Sequence, residues 1–478
     1  LIAGVLMAED LKKGLFSILK IRPRTDSALL FMYVGAFLQN ISAFFTTLKP
    51  ESEFHLITGA VVVLSVPVLI AKIFYFDSTR QCFKAVAAAS DKKYLRKVSD
   101  TSLIASLLKD NSNTETNVVY AGKTRFISGF LKRGAAAAFS GQASSRITAL
   151  TFLLSLIAGI TGLIITKSPV YALGCLTATA ALSFPVSCLV FTGYKLKTEN
   201  SALSVKSSYV QTYADAHVFC CVDDIIVDGH DILSAEIVSS ACNKNVSPKQ
   251  AEFCAAALTN KADGILKDAF AGFASGYQDK FPEVENLVFE DKLGFSAWIS
   301  DCRILLGTKD FLVSHNVELP KEHTIPFVLD DNSKPLFLAI EGHFAAVFTV
   351  RYSENPSAAK SLCELAKNGT NILISIKDPN ITEEFGEKLL GLPEHSLRII
   401  KSSTNENFLS AKNTVTDSEE TGIVFADSFE TFSRTMASAI KLDKTKSVSK
   451  LLTEAVGVAG AVFGVILSIA GTKTGLNS

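Results

Sequence analysis

The sequence lacks an excess of either charge: its 478 residues carry 47 Lys and Arg against 47 Asp and Glu. A nucleic-acid binder should carry a basic surplus, so no nucleic-acid partner is expected. Charge of any sign is scarce, at 20% of residues against about 25% in an ordinary soluble chain. Nine cysteines are present, but none stands at CxxC spacing, so a structural zinc site is not expected. The seven histidines form no HExxH or HxH pattern, and none is read as catalytic. Leu1–Met7 is apolar but lacks a leading positive region and an A-x-A site, so it does not read as a signal peptide. It reads as the end of an earlier helix, and the chain is expected to be part of a longer protein.

What fills the chain is apolar. Hydrophobic residues make up 48% and mean hydropathy is +0.29, which excludes a disordered chain and a small disulfide scaffold. A bilayer core is crossed by about 20 helical residues. Five stretches qualify: 27–48, 54–76, 147–166, 169–190 and 451–470. None carries Lys or Arg in its central part; Lys72 lies near the end of the second, where its amine can snorkel. Basic residues precede the first stretch (Lys12, Lys13, Lys20, Arg22, Arg24) and follow the second and fourth, while the short connections Lys49–Glu53 and Lys167–Ser168 are poor in them. The positive-inside rule then puts the N-terminus and the large soluble part in the cytoplasm of a multi-pass protein of the cell membrane.

The soluble parts divide by pattern. Residues 1–76 hold the N-terminal segment and first hairpin, and 147–196 the second hairpin. Residues 77–146 form a small cytoplasmic domain that reads as mainly helical. Within 200–445, Ala216–Val222 is an apolar run of strand length, and Pro248–Leu258 and Asp263–Phe273 have helical spacing. Asn286–Phe289, Ala297–Ile299, Arg303–Leu306, Thr324–Leu329, Leu336–Ile340 and Phe344–Val350 are short β-type runs, which suggest an antiparallel sheet. Ser357–Lys367, Asn371–Ile376, Glu383–Leu390, Leu397–Lys401 and Gly422–Phe425 then alternate helix and strand, as in a Rossmann-like parallel sheet. The expected fold is a multi-span α-helical membrane protein with an α/β head. A doubly wound domain (197–235 and 350–445) is split by an inserted antiparallel α+β domain (236–349), and a fifth span and tail follow (446–478).

Two hairpins around a small domain, then a split α/β domain with an insertion, then another span: this order resembles the P-type ATPases, closest to the heavy-metal-transporting branch. Lys12-Lys13-Gly14-Leu15 and Arg24-Thr25-Asp26-Ser27-Ala28-Leu29-Leu30 are similar to the approach to that branch's first core hairpin. Pro185 lies where the family unwinds a helix at its ion site. Gly294-Phe295-Ser296 and Leu306-Gly307-Thr308 are similar to the nucleotide-domain glycine motifs, making Gly294 and Gly307 candidate nucleotide contacts. Asp378 matches the Asp of the TGD motif. The resemblance implies a haloacid-dehalogenase-like phosphorylation domain, an inserted nucleotide-type domain, and magnesium and ATP as cofactors if the protein is active.

The catalytic motifs diverge. The family forms a phosphoenzyme on the Asp of DKTGT, which needs a carboxylate nucleophile at a strand end, a Lys, backbone amides and magnesium. Here the stretch reads Val218-Phe219-Cys220-Cys221-Val222-Asp223-Asp224-Ile225-Ile226-Val227-Asp228-Gly229. Anchoring on Gly229 puts Cys221 at the nucleophile, and a slip by two puts Asp223 at the strand end; Cys221, Asp223 and Asp378 thus outline a degenerate phosphorylation site. No TGES string lies in 77–146 and no GDGxND string between Ser402 and Gly422, while Tyr352 and Asn355 replace the Asp and Arg of a hinge DxxR. The ion-site triplet reads Phe184-Pro185-Val186 in place of Cys-Pro-Cys, leaving Cys188, near Pro185, as a candidate metal position. Cys175 would sit roughly 20 Å away along a helix.

These readings point to a P-type ATPase-like membrane protein without phosphoenzyme chemistry, acting as a regulatory, sensing or scaffold protein with no confident cofactor. Its partners would be the lipid bilayer and a cytoplasmic protein or a nucleotide. Two alternatives use the same frame: an active ATP-driven heavy-metal or cation transporter with divergent motifs, and a membrane-anchored haloacid-dehalogenase-type hydrolase.

Overall fold

The computed structural model describes residues 2–45, 57–88, 92–98, 117–137, 145–220, 222–274, 281–320, 330–402, 415–426 and 428–474. The polar stretch Asp110–Thr116, which reads as a turn, the β-type run Thr324–Leu329 and Cys221 lie outside them. Ala8–Leu19 forms α1, an amphipathic helix that packs on α2 (Thr25–Phe45). The second span is α3 (Thr58–Ala87), followed in the chain by α4 (Phe130–Ala137) and the third span α5 (Ser145–Thr166). The fourth is divided into α6 (Pro169–Leu182) and α7 (Val186–Ser204). Pro185 has no N–H to continue the ladder, and the helix restarts with Pro185 as its N-cap. All five expected spans are present as helices long and apolar enough to cross a membrane. α3 packs along α7, α5 along α6, and α2 along α6.

The head is built on a mixed sheet with the strand order β12-β11-β4-β2-β1-β14-β3. Its members are β1 (Lys92–Lys97), β2 (Val118–Thr124), β3 (Tyr209–Val210), β4 (Asp224–Asp228), β11 (Asn371–Ser375), β12 (Leu397–Ile399), β13 (Val415–Thr416) and β14 (Ile423–Phe425). β12, β11, β4 and β2 run parallel, and β13 pairs with β2 in the same sense. β1, β14 and β3 are added antiparallel. Ile225, Ile226 and Val227 on β4 are buried on both faces, as expected for a central parallel strand.

Two expectations are corrected here. Among its described residues the segment after the second span is helical at 77–87 and 130–137, but it also contributes two strands that were not expected, β1 and β2, and they are inserted into the head's own sheet between β4 and β14. Lys92–Lys97 alternates weakly and is rich in charge, so only the distant partners at Phe425 and Thr124 make it a strand. Ala216–Val222 is not a strand either; Tyr213–Cys220 forms the helix α8. Thr212 caps it, the Asp215 N–H donating to Thr212 Oγ1 at 3.1 Å and the Thr212 hydroxyl donating to Asp215 Oδ2 at 2.6 Å. That T-x-x-D spacing is the signal outweighed by the apolar run.

α4 is tied to the same body. Arg133 donates to Asp215 Oδ1 at 3.1 Å and lies 3.6 Å from Glu420. Burial pushes the Asp215 carboxyl above its ordinary value, and the Thr212 hydroxyl and Arg133 pull it back. Arg133→Met leaves that carboxylate half-enclosed without its cation. A loss of about 2 kcal/mol is expected, visible as a lower unfolding midpoint of the detergent-solubilised chain.

The inserted domain carries a six-stranded antiparallel sheet in the order β5-β10-β9-β8-β7-β6. These are β5 (Leu233–Cys242), β6 (Val284–Glu290), β7 (Gly294–Ile299), β8 (Cys302–Gly307), β9 (Ser333–Ile340) and β10 (His343–Glu354). The helices α9 (Pro248–Ala262) and α10 (Ile265–Phe270) cover one face; α11 (Lys309–Ser314) packs on β8 and β9. Back in the first domain, α12 (Pro356–Lys367) and α13 (Glu383–Leu390) flank β11 and β12. α12 ends in Asn368-Gly369 with Gly369 left-handed (φ 89°), a conformation that glycine adopts without a Cβ penalty. The last helix, α14 (Phe429–Thr474), is a single 46-residue helix that starts in the head and contains the fifth span.

Candidate functional site

In an open sheet with parallel strands, ligands meet the carboxyl ends of the strands. At that end of β4 stands Asp228, paired with Ser375 of β11. Its carboxylate caps the single turn Gly229–Ile232, accepting from the His230 N–H at 3.1 Å. Asp223 is at the opposite end. It precedes β4, its carboxylate accepts from the Asn117 N–H at 3.0 Å, and its carbonyl accepts from the Asn371 N–H at 2.8 Å. At about 3.3 Å per residue the strand separates the two carboxylates' backbones by roughly 16 Å. The expected grouping of Asp223 with Asp378 is therefore corrected: Asp378, three residues beyond β11, shares its end of the sheet with Asp228. Sequence reasoning missed Asp228 because reading Ala216–Val222 as the strand moved the strand end to Asp223. The signal was the short run Ile225-Ile226-Val227 stopped by Asp228-Gly229.

The surroundings of Asp228 are tight. A Cβ at Gly229 would lie 2.8 to 3.0 Å from the side chain of Ile376, so the residue after the strand-end Asp has no room for a lysine. His230 points outward and lies 3.5 Å from Asp268. A cavity of about 40 Å³ beside the strand end is lined by Lys93, Tyr120, Asp228, Asp231, Ser428 and Phe432. That space suits a water or two. Lys93 of β1 is one of the residues that line it.

Asp378 is enclosed. It is buried, and both carboxylate oxygens accept from the Tyr352 hydroxyl, at 3.1 and 3.0 Å. Oδ1 also accepts from the Asn380 N–H at 2.9 Å, and Asn380 Nδ2 donates to the Tyr352 oxygen at 3.2 Å. Tyr352 is stacked edge-on against Phe385, with centroids 5.7 Å apart. Burial pushes the Asp378 carboxyl up to about 7, with the Asn380 and Tyr352 hydrogen bonds opposing it. Tyr352 lies on β10 and Asp378 follows β11, so this cluster joins the inserted domain to the first. Lys292 with Glu383 (2.6 Å) and the Asp291 carboxylate with the Ser402 N–H (2.9 Å) join the same two bodies.

The other candidates are placed apart. Gly294 and Gly307 face each other across β7 and β8. A Cβ on either would meet Phe311, at 2.5 Å from Gly294 and 2.6 Å from Gly307. The pair therefore makes room for a phenyl ring of its own domain. Cys188 is buried beside the break at Pro185, its carbonyl accepting from Thr192 Oγ1 at 3.0 Å. Cys175 packs against Gly162 of α5. Among the described residues, no three His, Cys, Asp or Glu side chains come together in a way that could hold a metal ion.

Fold and site together describe a multi-span helical membrane protein whose head has a Rossmann-like sheet split by an antiparallel insertion. Over 203 residues, 39% of this chain, it is 23% identical to a zinc-exporting P-type ATPase of Mycobacterium marinum, so its similarity is to the P-type ATPases of the heavy-metal branch. The matched stretch spans 28% of that relative's length. Among solved structures, a zinc-transporting PIB-type ATPase aligns over 98% of this chain and 94% of its own, at 10% identity and a TM-score of 0.44. The N-domain of a copper-transporting P-type ATPase aligns over 25% of this chain and 98% of its own, at 15% identity and a TM-score of 0.20. No family model matches the chain.

Proposed function

We propose that this chain is a P-type ATPase-like membrane protein that does not form a phosphoenzyme, and that its cytoplasmic head works as a regulatory, sensing or scaffold module for a protein partner or a nucleotide. The observation that carries this is the position of β1 and β2. In the family, the segment between the two hairpins is a separate domain whose loop positions the water that cleaves the phosphoenzyme. Here that segment is hydrogen-bonded on both sides into the sheet, β2 to β4 and β1 to β14. A hairpin held in a central position cannot approach and leave the site without breaking the sheet. Gly229 in place of the lysine, and Asp378 enclosed by Tyr352, support the same reading.

A second reading keeps the ATP-driven cation transporter, and Asp228 favours it: a carboxylate does stand at the carboxyl end of the central strand. One experiment separates the two. The purified chain is incubated with γ-labelled ATP and magnesium, with and without zinc or copper(I), then acid-quenched. We expect no more acid-stable label than in Asp228→Ala. Label released by hydroxylamine and absent from Asp228→Ala would replace the first reading with the second, with Asp228 as nucleophile, magnesium as charge neutraliser and ATP as phosphoryl donor.

A further inference from the structure

α1 is fastened along one side. With 3.6 residues per turn, Asp10, Leu11, Gly14 and Ser17 fall together, and that side meets the first two spans. Asp10 pairs with Lys72 of α3, the Ser17 and Ser27 hydroxyls bond each other, and a Cβ at Gly14 would strike the Asp26 carbonyl of α2. Lys72 lies toward the cytoplasmic end of the second span, where its amine can snorkel to the interface. α1 is therefore held at that edge of the bilayer. Phe76, one turn beyond Lys72 and 71% exposed, shares a cavity wall with Glu9 and Lys13. The exposed apolar surface of α3 thus continues to α1.

The remaining sides of α1 differ from each other. Leu15, Phe16 and Leu19 project from one flank and are half-exposed or more, and Ile21, just past the helix, is 87% exposed. Glu9, Lys13 and Lys20 lie on the opposite flank. A helix with one apolar and one charged flank, held at the bilayer edge, lies in the plane of the interface. Its charges do not cancel. Glu9 is taken by Lys13 at 2.8 Å and Asp10 by Lys72, while Asp26 is buried. Lys12, Lys20, Arg22 and Arg24 are exposed and, among the described residues, pair with no carboxylate. Four cations without counter-charge, beside a flank that needs hydrocarbon, fit an anionic surface that is apolar underneath. An acidic bilayer supplies both; an acidic soluble protein would have to displace lipid from Leu15, Phe16 and Leu19.

We propose that α1 and the turn Lys20–Arg24 form a binding surface for acidic phospholipid of the cytoplasmic leaflet. Leu15, Phe16 and Leu19 enter the acyl boundary, Lys12 and Lys20 reach the headgroups, and the Arg22 and Arg24 guanidiniums take phosphate oxygens in pairs. The surface needs only that the chain be membrane-embedded and is independent of phosphoenzyme chemistry.

The test places a fluorophore on α1 and asks which lipid touches it. Phe16→Trp is made in a chain whose single natural tryptophan is removed by Trp298→Phe. The full chain is reconstituted in bilayers of phosphatidylcholine with one-fifth phosphatidylglycerol. Quenching is compared, at equal mole fraction, between brominated phosphatidylglycerol and brominated phosphatidylcholine. Both are expected to quench, the acidic lipid at least about twofold more strongly at low salt. About 1 M salt should bring the ratio close to one, because the screening length falls to about 3 Å. Lys12→Ser, Lys20→Ser, Arg22→Ser and Arg24→Ser together should remove the preference while leaving the quenching by phosphatidylcholine. No quenching by either lipid, equal quenching at low salt, or a preference that survives high salt or the four substitutions would overturn the assignment. The salt comparison requires none of the four substitutions, so it decides the matter even if that variant does not fold.

Discussion

Between about pH 4 and pH 7 the head is expected to lose on the order of 4 kcal/mol of stability through Asp378 alone. Burial holds its carboxyl at about 7 in the folded chain against 3.8 for the free group. The folded state therefore keeps a proton that the unfolded state has released, and stability falls as pH rises across that interval, at about 1.4 kcal/mol per pH unit. Below about pH 4 both states are protonated and the contribution is whole; above about pH 7 the slope ends. Asp378→Asn keeps the shape and an acceptor for Tyr352 but cannot ionise, so its stability should lack this slope. Denaturant midpoints of the two proteins, measured from pH 4.5 to 8, check the prediction. Parallel curves would mean that Asp378 is ionised throughout.

Gly307→Ala is expected to cost at least about 3 kcal/mol, because the added Cβ is itself the clash. It would meet the Leu293 carbonyl, lie 2.6 Å from Phe311 Cδ1 and 2.8 Å from the Gly294 Cα. Two of these neighbours are backbone that cannot step aside: the Gly294 Cα sits in the β7–β8 ladder, and the Leu293 carbonyl accepts from the Thr308 N–H at 2.8 Å. In a domain of this size the loss corresponds to a fall of about 10 °C or more in the inserted domain's unfolding temperature. A change confined to nucleotide affinity, with the melting temperature preserved, would contradict the packing role and restore a ligand role.

The spans were legible because a run of about 20 apolar residues has few other uses. The antiparallel insertion was legible too: β6, β7 and β8 follow one another through short turns, as do β9 and β10, so each of these strands has a partner near in sequence. β1 and β2 were not, since β4 and β14 lie about a hundred to three hundred residues away and nothing in Lys92–Lys97 announces them. The site was half legible. Asp378, singled out by its motif, lies three residues beyond β11. Asp228 was lost because an apolar helix, Tyr213–Cys220, reads like a strand unless Thr212 and Asp215 are recognised as its cap. The enclosing role of Tyr352 depends on two domains meeting, which no local pattern encodes.

α14 contains no proline and no break along its 46 residues. At 1.5 Å per residue it is a rod about 70 Å long. Its membrane half lies against the end of α6, where a Cβ at Gly460 would strike the Leu182 carbonyl and one at Gly464 would come 2.6 Å from Thr179 Oγ1. That contact is immediately before the interruption at Pro185. One continuous helix therefore links the head to the stretch just before that interruption. Whatever docks on the soluble side has a lever whose foot rests on the broken span.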